Sequence, residues 1–119
     1  MSNDLVTKLQ DKKTRIETLT IRSRLDVFNA LEFRTQLQSM FDQMITHLVV
    51  DLSQAAFVDS TGMAVLISAL KQCRQNGGNV RLVMPHSEAV KRILELVRFD
   101  RVYDMNSSVE EAVAAFQVG

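Results

Sequence analysis

The sequence predicts an α/β domain with a mixed, mostly parallel β-sheet, an N-terminal strand pair and about four covering helices. Three observations carry that prediction. The chain opens with strand-like alternation over Leu5–Gln10 and Arg15–Ile21. Two short apolar runs then follow, Leu48–Val50 and Val80–Met84, each preceded by a stretch whose apolar residues recur every three or four positions. At 119 residues the chain suits one domain and is too short for two ordinary ones. A single domain over 1–119 is therefore expected, with an ordered core over about 5–116.

The first two strands are joined by Asp11-Lys12-Lys13, whose polar character fits a turn. From Asn29 to Met44 the period changes, and Ala30, Phe33, Leu37, Met40, Phe41 and Met44 fall on one helical face. Leu48-Val49-Val50 ends in Asp51 and reads as a central strand buried on both sides. Phe57-Val58 is a further strand, and it hands over to a helix from Ser60 or Thr61 to about Asn76. That helix buries Met63, Leu66, Ile67, Leu70 and Cys73. Gly77-Gly78 stops it, because glycine readily takes the left-handed conformation at a helix end. Val80–Met84 is closed by Pro85, the only proline. A third helix follows Ser87, with Val90, Ile93, Leu94 and Val97 on its apolar face. A fourth carries Val109, Ala112, Val113 and Phe116, and Ser107-Ser108-Val109-Glu110 reads as its capping box.

Composition excludes several function classes. Lys plus Arg and Asp plus Glu each number 14, so no global field draws the chain to nucleic acid or anionic membrane. A single cysteine rules out an internal disulfide framework and suits a reducing compartment. Met1-Ser2-Asn3-Asp4 lacks the layout of a signal peptide, and no apolar run approaches the ~20 residues of a membrane span. The expectation is a cytoplasmic protein. His47 and His86 have no cysteine or carboxylate pair at ligand spacing, so no metal and no cofactor is expected. His47 is expected to cap the approach to a strand. Phosphate-loop and dinucleotide fingerprints are absent, and Ser60 lacks the flanking glycine of a hydrolase elbow. Catalytic residues are not expected, because a nucleophile needs a positioned base.

What remains is the junction Phe57-Val58-Asp59-Ser60-Thr61-Gly62-Met63. Helix starts present unpaired N–H groups and partial positive charge, which suit a covalently attached phosphate. Asp, Ser and Thr are equally the favoured capping residues, worth about 1 kcal/mol each. Local chemistry alone favours the plain cap.

The wider pattern reverses that preference. Val49-Val50-Asp51-Leu52-Ser53, the segment from Phe57 to Leu66, Gly77-Gly78 and Val80–Met84 together resemble the STAS family. Within it, the pattern is similar to that of the bacterial anti-sigma factor antagonists, or anti-anti-sigma factors. Arg24-Leu25-Asp26 with Asn29-Ala30, Pro85 with Val90–Leu94, and Glu110-Glu111-Ala112 fall in the same order. The resemblance implies that Ser60 is phosphorylated by an anti-sigma factor that is itself a serine kinase, and reset by a PP2C-type phosphatase. It implies a partner surface around Asp59, Ser60, Thr61, Gly62 and Met63 that extends to the loop carrying Asp26. Ser53 and Thr61 are alternative acceptors. The rival roles are a scaffold module of another signalling assembly and, less favoured, a ligand- or nucleotide-binding domain. Two departures stand out: Ser23 and Arg98 occupy positions where family members often carry glycine. Both are expected to alter loop shape near the partner surface.

Overall fold

The structure is a computed structural model and describes residues 6–11 and 15–117. Its elements run β1 (Val6–Asp11), β2 (Ile16–Ile21), β3 (Arg24–Leu25), α1 (Ala30–Asp42), β4 (His47–Asp51), β5 (Phe57–Val58), α2 (Ser60–Gln75), β6 (Asn79–Val83), α3 (Glu88–Leu96), a 3₁₀ turn (Phe99–Arg101), β7 (Asp104–Asn106) and α4 (Val109–Gln117). Five strands form one sheet in the order β1-β2-β4-β6-β7. Only the β1–β2 pair is antiparallel; β2, β4, β6 and β7 pair in parallel. The predicted character of the sheet, mixed and mostly parallel with an antiparallel N-terminal pair, is therefore observed. Leu5, Lys12, Lys13 and the last two residues lie outside the described residues, whereas Asp11 closes β1 rather than opening a turn.

Side chains of alternate strand residues point to opposite faces, and the core divides accordingly. Leu19, Ile21, Leu48, Val50, Val80 and Leu82 join buried side chains of α1, α2 and α3. Ile16, Val49 and Val83 project the other way, under Ala112, Val109, Val113 and Phe116 of α4. The central strands are thus covered on both faces, as their unbroken apolar runs require. His47 stands on the α4 side with its ring edge-on to Phe116, 5.0 Å between centroids, so it is a packing residue inside β4 rather than a strand cap.

Helix α1 stops two residues before the sequence expectation. Met44 lies beyond it, 71% exposed, with φ at +62°. Its N–H donates to Phe41 O, and the Ile45 N–H donates to Met40 O, the paired bonds of a Schellman ending. Helix α2 ends in the same way, with Gly77 at φ +84° and the Gly78 N–H donating to Cys73 O. Arg98 takes the equivalent place after α3, at φ +59°. That explains why glycine suits this position, since a side chain in the left-handed region costs roughly 1–2 kcal/mol. On α3 only Val90 and Leu94 are buried; Val97 is its exposed C-cap.

Two strands escaped the sequence reading. β3 pairs with β5 as a separate two-stranded unit, and β7 extends the main sheet beyond β6. Both are three residues or shorter, too brief to show a period. The capping box is shifted by one residue. Ser108 Oγ accepts the Glu111 N–H at 3.1 Å, while Ser107 Oγ donates to Glu111 Oε2 at 2.6 Å.

Candidate functional site

β5 is two residues long and ends directly at the start of α2. Asp59, at the junction, has extended backbone and is the N-cap. Its carboxylate serves two elements at once. Oδ1 accepts the Gly62 N–H at 2.8 Å, and Oδ2 accepts the Val27 N–H at 3.2 Å, in the loop between β3 and α1. Asp59 thereby closes the first turn of α2 and fixes the neighbouring loop against it.

Ser60 follows as the first residue of α2 and is exposed. Among the described residues nothing hydrogen-bonds its hydroxyl. The Met63 N–H donates to Asp59 O, and Gly62 N–H is taken by the cap. The amides of Ser60 and Thr61 are left without a partner among the described residues. An exposed hydroxyl therefore sits beside two open backbone donors at the positive end of a 16-residue helix. The capping work that would explain a serine here is done by Asp59.

Thr61 and Met63 are half-buried, and Met63 packs against the main core. Gly62 is buried. A Cβ placed on it would come within 2.0 Å of Leu25 O and 3.1 Å of Val58 Cγ1. Its close approach is thus to the backbone of its own chain, and it seats α2 on the β3–β5 unit. Ser53 lies in the turn after β4, where its N–H donates to Asp51 Oδ1 at 2.9 Å and its carbonyl accepts the His86 N–H.

Asp26, expected at the partner surface, is only 2% exposed. Its Oδ1 accepts the Phe28 N–H, and its Oδ2 pairs with Arg24 Nε at 3.2 Å. Asn29 completes the loop: its side-chain oxygen accepts the Asp26 N–H and its amide donates to Arg24 O. Asn29 therefore braces the loop instead of capping α1.

Both departures from the family pattern receive a placement. Ser23 keeps ordinary backbone, and its carbonyl accepts the Ala56 N–H at 2.7 Å. Arg98 belongs to the far end of the molecule. The segment after it is tied to α2 through Arg74 Nη2 and Val102 O, fourteen residues along the helix from Ser60 or about 21 Å. It does not shape the surface around Ser60.

Elsewhere the titratable groups are structural. Burial, with the Glu17 carboxylate adding to it, pushes the Cys73 thiol up to about 12, so it stays protonated in the core. Glu17 itself is fully buried and accepts from Gln10 Nε2 at 2.6 Å. Desolvation raises its pKa above the usual carboxylate range. Neither histidine bonds to Ser60, and the described residues contain no group of three or more His, Cys, Asp or Glu placed to hold a metal. None of the described helices is long and apolar enough to cross a membrane.

Residues 9–112 match the family model of the STAS domain. This chain belongs to the STAS family. BtrV of Bordetella bronchiseptica, provisionally named an anti-sigma factor antagonist, is 30% identical over 91 residues, 75% of this chain and 76% of BtrV. A Thermotoga maritima crystal structure with the same provisional name superposes at a TM-score of 0.84, with 23% identity and 96% of each chain covered. SpoIIAA, an anti-sigma factor antagonist and Bacillus cell fate determinant, is solved in two states. Its unphosphorylated form superposes at 0.78 with 16% identity, covering 96% of this chain and 99% of SpoIIAA. Its phosphorylated form superposes at 0.72 with 14% identity, covering 92% and 97%. At these identities the structures establish the STAS fold.

Proposed function

We propose that this chain is an anti-sigma factor antagonist of the bacterial cytoplasm, switched by phosphorylation of Ser60. Unmodified, it binds a serine-kinase anti-sigma factor and so frees a sigma factor. The kinase transfers the γ-phosphoryl group of ATP to Ser60 Oγ, ADP leaves, and the hydroxyl proton passes to a base on the kinase. A PP2C-type phosphatase hydrolyses the ester, which restores the hydroxyl and releases inorganic phosphate. The carrying observation is the Ser60 hydroxyl itself, exposed and unbonded beside two open amides while Asp59 holds the cap. The relatives' names and the existence of a phosphorylated SpoIIAA support the reading.

Magnitudes favour a switch over a structural role. Phosphorylation adds about −1.5 to −2 charges beside Asp59. The helix start offsets part of that, roughly 0.3–1 kcal/mol and up to ~2 in partly buried geometry. Folding is little affected. A partner packed over the site must instead bury the new charge, and an unpaired buried charge costs about 3–5 kcal/mol. At about 1.4 kcal/mol per decade, association weakens by at least ~100-fold.

The test incubates the purified protein with ATP and each serine-kinase anti-sigma factor of its own genome, then maps phosphate by mass spectrometry. One phosphate on Ser60, absent from Ser60→Ala, is expected. Phosphate on Ser53 or Thr61 alone, or none with a kinase active on another substrate, overturns the reading. Ser60→Asp is expected to lose kinase binding with its Tm nearly unchanged; an unfolded Ser60→Asp would make Ser60 a structural residue.

A further inference from the structure

The two edges of the main sheet differ in how they are protected. β7 is only three residues long, too short to template a further strand. β1 is six residues long and pairs with β2 in unbroken register, from Val6 opposite Ile21 to Asp11 opposite Ile16. It carries neither a bulge nor a proline. Among the described residues its backbone makes no hydrogen bond outside that ladder. Its outward N–H and C=O groups therefore form an intact template for another strand. The side chains at its centre are equally unfinished. Leu9 stands opposite Thr18, on the sheet face that carries α4, and is 67% exposed. On the other face Lys8 is exposed and Gln10 stands opposite Glu17. Glu17 is fully buried, and its Oε2 has no partner among the described residues.

We propose that β1 is a self-association edge, where a second copy of this chain adds its own β1 antiparallel across a two-fold axis. That axis stands perpendicular to the sheet, so both copies keep α4 on the same side. Only residues of one face can then meet. Two registers use nearly the whole strand, one centred on Lys8 and spanning 6–10, the other centred on Leu9 and spanning 7–11. The first sets Lys8 against its own copy, and like charges directly opposite are destabilising. The second covers each exposed Leu9 with its copy and sets Lys8 against Gln10. There the ammonium of the second copy joins the row of Gln10 and Glu17, whose side chains already bond at 2.6 Å. A cation is thereby brought toward a buried carboxylate that lacks a partner on one oxygen. The fitting occupant is a copy of the chain, because at this one register the strand complements itself in backbone, apolar surface and charge.

Sedimentation velocity of the full chain from about 10 μM to about 1 mM tests the pairing. An interface this small is expected to dissociate at about 100 μM, read as a rise from monomer to dimer across that range. Leu9→Lys places like charges across the axis. It is expected to weaken the dimer about 10-fold or more, with the Tm of the dilute monomer unchanged. Leu9→Cys reads the register without adding charge. Facing residues bring their Cβ atoms within disulfide range, so mild oxidation is expected to link two copies through position 9. Lys8→Cys lies diagonally from its copy and is expected to link far more slowly. Cys73 is buried and takes no part. A chain that stays monomeric at about 1 mM overturns the proposal. So does a dimer that Leu9→Lys leaves intact, or one in which position 8 links faster than position 9.

Discussion

Two helix starts in this molecule are rich in hydroxyls, and they use them in opposite ways. At α4, Ser108 caps the helix and Ser107 donates to Glu111, while Asn106 donates to the other Glu111 oxygen at 3.0 Å. Every serine there is committed to its own chain. At α2 the cap is Asp59, and the hydroxyl of the serine that follows bonds to nothing among the described residues. The third helical residue differs just as sharply. In α4 it is Glu111, whose side chain reaches back to satisfy the start. In α2 it is Gly62, whose missing side chain lets the helix sit on Leu25. One start is self-sufficient, and the other is pressed into the fold below and left open above. A hydroxyl in the second setting is available to another protein's chemistry.

The comparison breaks most violently at Gly62. A Cβ within 2.0 Å of a backbone oxygen cannot be relieved by a rotamer change. Gly62→Ala is expected to cost about 3 kcal/mol or more, at the upper end of overpacking, read from urea unfolding. A loss below 1 kcal/mol would mean that α2 is not seated as described. The serines sharpen the contrast at smaller scale. Ser108→Ala is expected to destabilise by about 1 kcal/mol, the usual worth of a cap. Ser60→Ala should stay within about 0.5 kcal/mol, as for a surface change. Equal losses would erase the distinction between the two starts.

The smallest effect is a pH dependence. Hydrogen bonds from Ser107, then Asn106, hold the Glu111 carboxyl below its usual range. Because the folded value is the lower one, its contribution is full above the unfolded value and fades as pH falls through the folded one. Glu111→Gln should flatten the acid limb of a stability-versus-pH curve slightly. No change at all would mean that solvent already screens those bonds.

Legibility in the sequence tracked the length and uniqueness of each signal. The helical spacing in α1 and α2 and the apolar runs of β4 and β6 are long enough to be diagnostic. At α4, Ser107 and Ser108 each have a glutamate three residues on, so spacing alone left the cap ambiguous by one position. Met44 matches the helical spacing from Met40, yet the chain has already turned at Gln43. Glu17 shares its parity with Leu19 and Ile21, which placed it on the core face, but a carboxylate reads as solvent-facing. At the candidate site, Asp59 and Ser60 were visible in the sequence. The inward turn of Asp26 was not, because its partner Arg24 belongs to a strand too short to recognise.

The two oxygens of Asp59 also constrain how this surface can evolve. An amide offers only one acceptor oxygen, so asparagine at 59 would have to choose between the Gly62 and Val27 N–H groups. No replacement of Asp59 frees the loop between β3 and α1 while leaving the helix start as it was. The start of α2 and the loop between β3 and α1 are bolted through one side chain, and a lineage that replaces Asp59 must inherit a change in both.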